Sequence, residues 1–125
     1  MPRQHVQVRR IYDSPTSNDG TRVLVDRIWP RGVSKDKARL DEWCRDIAPS
    51  TELRKWYHHD PTLFDEFVRR YHEELTEPGR AAAVAHLHQL AKKQMLTLLT
   101  ATKDVDISEA AVLADLIATK RSRDA

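Results

Sequence analysis

Two apolar runs set the fold class. Arg22–Ile28, RVLVDRI, holds Val23, Leu24 and Val25 in succession, and Met95–Thr102, MLTLLTAT, holds Leu96, Leu98 and Leu99. A strand with one wet face alternates apolar and polar residues. A run without that alternation suits a strand covered on both faces, as in parallel sheets. Val6, Val8 and Ile11 in QHVQVRRIY do alternate with polar residues and predict a half-buried strand.

Helical patterns lie between the last two runs. Leu40, Trp43, Cys44 and Ile47 share a face at helical spacing, Pro49 stops that segment, and Ser50 is placed to cap the next. Asp60-Pro61 is a helix start, because Asp accepts from free N–H groups and Pro at the first position loses none. Phe64, Phe67, Val68, Tyr71 and Leu75 follow as an amphipathic stripe, and Glu77–Gly79 breaks it. Ala81–Lys93 is predicted as another helix, and Ser108 as the cap of a last one. Strands separated by helices predict an α/β fold: a single compact domain with a small, mainly parallel sheet of three or four strands flanked by helices. The short link between the first two strands could make a hairpin or a tight crossover, and the parallel arrangement is favoured.

A chain of 125 residues supports one domain, expected over residues 1–118, with a basic, disordered tail over 119–125. The single cysteine, Cys44, cannot form an internal disulfide. The first residues lack the apolar core of a signal peptide, and no run reaches a membrane span, so a soluble cytoplasmic protein is expected. Net charge is only +2, which does not by itself imply a nucleic-acid partner. Its distribution is uneven: residues 1–35 hold seven Arg or Lys against three Asp, a local +4.

In an open α/β sheet, ligands collect beyond the carboxyl ends of the strands. Asp26 to Gly32, DRIWPRG, occupies that edge after the second strand, and Lys103-Asp104 occupies it after the third. If these strands are neighbours, Asp26, Arg27, Arg31, Lys103 and Asp104 converge on one rim. Arginine forks match the paired oxygens of phosphate or carboxylate, and a lysine adds a movable charge. Trp29 could wall such a site, Pro30 would stiffen the loop, and Gly32 would permit close backbone approach. The competing reading is structural: a buried Asp–Arg pair that pins a loop, with Trp29 as core.

Arg54, one turn after Ser50, adds a further cation, and Trp56 to Asp60 gathers aromatic, imidazole and carboxylate groups at a helix junction. His59 beside Asp60 is a candidate proton carrier, as is Asp26. His72, His86 and His88 lack the spacing of a helical metal site, and no metal or cofactor is expected. Three glycines in the whole chain leave no phosphate loop, and there is no nucleophile-elbow or Cys pair motif.

The motifs VDRIWPRG, APSTELRKWYHHD, FVRRYHEEL and LLTATKD followed by AAVL resemble the YeaO-like family of bacterial proteins, a domain of unknown function numbered 488. The resemblance runs from about Val6 to Leu116. It implies a compact cytosolic α/β domain and brings no assigned activity. The family pattern falls on Asp26, Arg27, Trp29, Pro30, Arg31, Gly32, Ser50, Leu53, Arg54, Lys103 and Asp104. This chain departs from it at Thr100, where relatives tend to carry Tyr or Ala, and at Ile107-Ser108-Glu109, where they tend to carry Asn and His. Those departures argue against an acid–base mechanism shared across the family.

The leading expectation is a small-anion cleft, for a phosphate or nucleotide-like molecule, with Arg27, Arg31, Arg54 and Lys103 as contacts and Asp26 and Asp104 orienting them. The alternative is a non-enzymatic interaction module, in which the Asp/Arg motif is a clamp and the basic segments meet a protein or nucleic acid.

Overall fold

The computed structural model describes the backbone of residues 5–124 and the side chains of residues 5–118, so the expected tail lies outside the described side chains. Among the described residues the sheet has four strands: β1 (Val6–Arg10), β2 (Thr21–Leu24), β3 (Glu42–Trp43) and β4 (Leu96–Thr100). All pair in parallel, in the order β1-β4-β2-β3. Leu96 of β4 stands opposite Val6 on one side and Thr21 on the other. The link between β1 and β2 is therefore a crossover that leaves room for β4, not a hairpin.

The helices are α1 (Lys35–Ala38), α2 (Thr51–Tyr57), α3 (Phe64–Glu74), α4 (Pro78–Lys93) and α5 (Glu109–Asp124). Their starts follow the local chemistry. Ser50 Oγ accepts from Leu53 N at 3.1 Å and Ser108 Oγ accepts from Ala111 N at 3.2 Å, whereas Asp60 Oδ1 accepts from Thr62 N at 2.9 Å to cap the 3₁₀ turn Pro61–Leu63 that leads into α3. Pro78 occupies the first turn of α4, three residues earlier than the apolar spacing predicts.

One sheet face, with Val6, Val23, Leu96 and Leu98, packs against the main core from α2 to α5. On the other face Leu24 and Leu99 meet Ile11 and Ala38, with Trp29, Val33, Leu40 and Trp43 closing over them. The amino-terminal half of this second face is polar but buried. Arg22 and Thr97, which alternate with the leucines, reach Asp19 there. Asp19 also accepts from the Thr16 amide, the Thr16 hydroxyl and Arg9.

The segment Leu40–Ile47 departs from its helical periodicity. Glu42–Trp43 forms the edge strand β3, and Arg45–Ile47 makes one tight 3₁₀ turn. The cause is the open edge of β2: Asp41 N and Cys44 N donate to the carbonyls of Arg22 and Leu24, each at 2.8 Å. A partnerless strand edge outweighs a short helical preference. The second strand is also shorter than its apolar run, because Asp26 turns its side chain across to β4.

Candidate functional site

The first two residues beyond β2 fix the geometry. Val25 N makes the last rung of the ladder, donating to Leu99 O at 3.1 Å. Asp26 then accepts from the Thr100 hydroxyl with Oδ1 and from the Ala101 amide with Oδ2, each at 2.8 Å. Its own carbonyl accepts the Trp43 indole N–H at 2.7 Å. One residue thus ties the carboxyl ends of β2, β4 and β3. The expected Asp–Arg pair is not formed at Asp26: its carboxylate is held by a hydroxyl and an amide of the β4 end and not by a guanidinium.

A cleft of about 450 Å³ opens at this edge, between the Asp26–Pro30 loop, the end of α2 and the start of α5. Its volume falls within the range of small-molecule sites. Arg27, Arg54, Lys55, His58 and His59 line it, as do Asp26 and Glu109. Ile28, Trp29, Pro30 and Phe67 supply apolar wall, and Ile28 is 69% exposed.

Glu109 is the first residue of α5, set just after the Ser108 cap. Burial pushes its carboxyl well above the ordinary value of 4.5, and the hydrogen bond to Asp26 and the Asp26 charge push the same way. Its own backbone amide and Arg54 pull it down, less strongly. Because Asp26 already accepts from two donors, Glu109 is the donor of the shared bond.

Arg54 faces this pair from α2. One guanidinium nitrogen donates to Thr51 Oγ1 at 3.1 Å, whereas Nε is buried and has no hydrogen-bond partner. Just beyond, α2 ends on two residues in the left-handed region, His58 at φ 47° and His59 at φ 56°. Left-handed imidazoles in succession are uncommon, and they turn the chain around the cleft rim. Tyr57 donates to Ile107 O at 2.8 Å. Burial first, then the charges of Asp104 and Asp60, push its hydroxyl up to about 12, so it acts as a hydrogen-bond donor that holds the loop before α5.

The structure brings together Asp26, Arg27, Trp29, Pro30, Arg54 and His59 on the cleft. Trp29 is also core: its ring meets Trp43 edge-on at 5.3 Å, and its N–H donates to Val33 O at 2.7 Å. Arg31, Gly32, Lys103 and Asp104 lie outside the lining and are exposed. The Arg31 carbonyl accepts the Tyr12 hydroxyl at 3.1 Å, and Gly32 takes φ 79° in the same loop. Ser50 acts at the far end of α2, where its N–H and hydroxyl donate to Glu74 at 2.8 and 2.5 Å. Sequence reasoning missed Lys55 and Glu109. The position of Glu109, opening the helix that follows a central strand, was the available signal. Among the described residues no cluster of His, Cys, Asp or Glu could hold a metal ion, and no helix is long and apolar enough to cross a membrane.

The fold and this rim define a small parallel α/β domain with a charged cleft at the carboxyl edge of its sheet. The chain belongs to the YeaO-like DUF488 family. The matching family model, described as "Inactive DUF488-N3 subclade", covers residues 5–125. The uncharacterized protein Rv3073c of Mycobacterium tuberculosis is 53% identical over 112 residues, which is 90% of this chain and 92% of that protein. The uncharacterized protein YeaO of Escherichia coli is 43% identical over 111 residues, 89% of this chain and 95% of that one. No solved structure matches significantly.

Proposed function

We propose that the protein binds a small anion, a phosphate or a nucleotide-like molecule carrying one, in the cleft at the carboxyl edge of its sheet. Arg27, Arg54 and Lys55 supply the positive charge. The observation that carries this reading is Arg54 Nε, buried and without a partner. A buried donor left unpaired costs about 1–3 kcal/mol, and an oxygen of a bound anion would remove that cost. The charge balance supports it as well. Arg27, Arg54 and Lys55 line the cleft, and burial favours the neutral form of the Glu109 carboxyl on the same wall. The description of the matching subclade as inactive supports binding over turnover.

Thermal unfolding with inorganic phosphate tests the proposal. Phosphate at about 100 times its dissociation constant should add roughly 2.7 kcal/mol of stability to the wild type. Arg54→Ala should melt normally and lose the response, and Arg31→Ala and Lys103→Ala should keep it. A wild type that phosphate does not stabilise at any concentration would sink this reading and leave the interaction-module alternative.

A further inference from the structure

We infer that the ligand is a single-stranded nucleic acid, with one phosphate in the cleft and the strand running out along the carboxyl edge of the sheet. This rests on the anion reading and extends it to the surface beside the cleft.

Tyr12 carries the argument. Among the described residues, Tyr12 and Ile28 are the large apolar side chains left exposed, at 48% and 69%. Both stand at the same edge. Ile28 lies at the cleft, and the Tyr12 hydroxyl donates to the carbonyl of Arg31, in the same loop, at 3.1 Å. This exposed ring is fastened on a second side as well. The Arg10 guanidinium lies 4.9 Å from the ring centre, and it donates to the carbonyls of Ala101 and Thr102, just beyond β4, each at 3.3 Å. With one face on Arg10 and the hydroxyl tied, the exposed part of the ring is a flat platform of fixed orientation. A group that stacks on it has little ordering cost to meet.

Free cations flank the platform. Arg27, Arg31 and Lys103 are exposed, and their side chains make no hydrogen bond or ion pair with the described residues. Of the carboxylates beside them, Asp13 is turned to the Arg10 amide at 3.2 Å, and Asp104 stands exposed. Cations that track a backbone, interleaved with a ring on which any base can stack, are the means by which proteins hold single strands. A duplex is stiff and keeps its bases stacked inside. It could neither bend a phosphate into the recess at Arg54 nor offer a base to Tyr12. A lipid surface is disfavoured too, because one isoleucine and one fastened tyrosine are little apolar area to enter it.

Fluorescence anisotropy with a thymidine strand of about a dozen nucleotides, labelled at its 3′ end, tests the inference. The wild type should bind it, with a salt dependence of roughly −2 on logarithmic axes, about −0.7 for each phosphate met by the cleft, Arg31 and Lys103. Arg31→Ala and Lys103→Ala should each flatten that slope by about 0.7. Tyr12→Ala, with folding checked by circular dichroism, should weaken binding about tenfold, and Tyr12→Phe, which keeps the ring, should restore most of it. Equal losses in the two Tyr12 variants would make the residue a loop anchor and overturn the inference. So would a duplex that binds as tightly as the single strand, or phosphatidylglycerol vesicles that bind where the strand does not. A strand that fails to bind a protein stabilised by inorganic phosphate would overturn this inference and leave the anion reading standing. Failure of both responses would overturn both.

Discussion

Arg22 Nη1 lies 2.5 Å from Asp19 Oδ2, with Asp19 1% and Arg22 5% exposed, on the sheet face opposite the main core. Burial alone would raise the Asp19 carboxyl. The hydrogen bonds from Thr16, Arg22 and Arg9 outweigh it and lower the value from 3.8 to about 2. Asp19→Ala would leave Arg22 buried without its counter-charge, and should cost about 3–5 kcal/mol in urea unfolding. The pH dependence has a definite sign. A depressed carboxyl contributes fully above its unfolded value and loses that contribution as pH falls towards about 2. Between pH 4 and 2, wild type should therefore lose stability more steeply than Asp19→Asn.

Gly20, the neighbour of Asp19, is a position where no side chain fits. Its φ is 62°, and an added Cβ would stand 2.1 Å from the Met95 carbonyl oxygen, which also accepts the Thr21 amide. Gly20→Ala should cost at least about 2 kcal/mol, combining left-handed strain with displacement of β4. Gly32→Ala is the internal comparison. Its φ is 79°, but nothing lies within 4 Å of the added atom, so only the strain of about 1–2 kcal/mol should appear. Paired denaturant melts would read the difference.

The Glu109 carboxyl gives a pH dependence of opposite sense. Its raised value means the folded state holds a proton that the unfolded chain releases near the ordinary value of 4.5. The stability this contributes is complete below that value and is lost as pH rises through the raised one. Glu109→Gln keeps a donor towards Asp26 and cannot titrate. Relative to it, wild type should lose up to about 1.4 kcal/mol per pH unit within that interval. Equal pH profiles for the two proteins would mean that folding does not raise the Glu109 carboxyl.

Ser50 separates support from contact. Its hydroxyl caps α2 and bonds Glu74, away from the cleft lining. Ser50→Ala should lower stability by about 1–2 kcal/mol and leave phosphate affinity within a factor of about two. A large fall in affinity without loss of stability would instead put Ser50 in the binding site.

The sequence carried the architecture because burial on two faces leaves a mark on the chain. The runs at Val23–Val25 and Leu96–Leu99 are central strands, and their adjacency brings Asp26 to the rim. Caps at Ser50, Asp60 and Ser108 were equally legible, since each is a local bond between a side chain and an amide two or three residues ahead. Glu42–Trp43 was not, because its strand character comes from the carbonyls of Arg22 and Leu24, far along the chain. The partners of Asp26 were hidden for the same reason. A neighbouring arginine is visible in sequence, and a threonine 74 positions away is not. Glu109 looked like an ordinary first-turn acid, and only folding sets it against Asp26.

Asp26 serves two masters with one carboxylate. The bonds that fasten β2 to the end of β4 are made by the same two oxygens that face the cleft. A change there that retuned what the cleft accepts would also loosen the sheet beneath it, so the two properties cannot drift apart at this position. Arg27 and Lys55 are exposed on the rim and carry no such second duty in the strands. New preferences among descendants of this scaffold would therefore arise by exchanging the movable groups around a fixed aspartate, with the floor of the site held constant while its walls are rewritten.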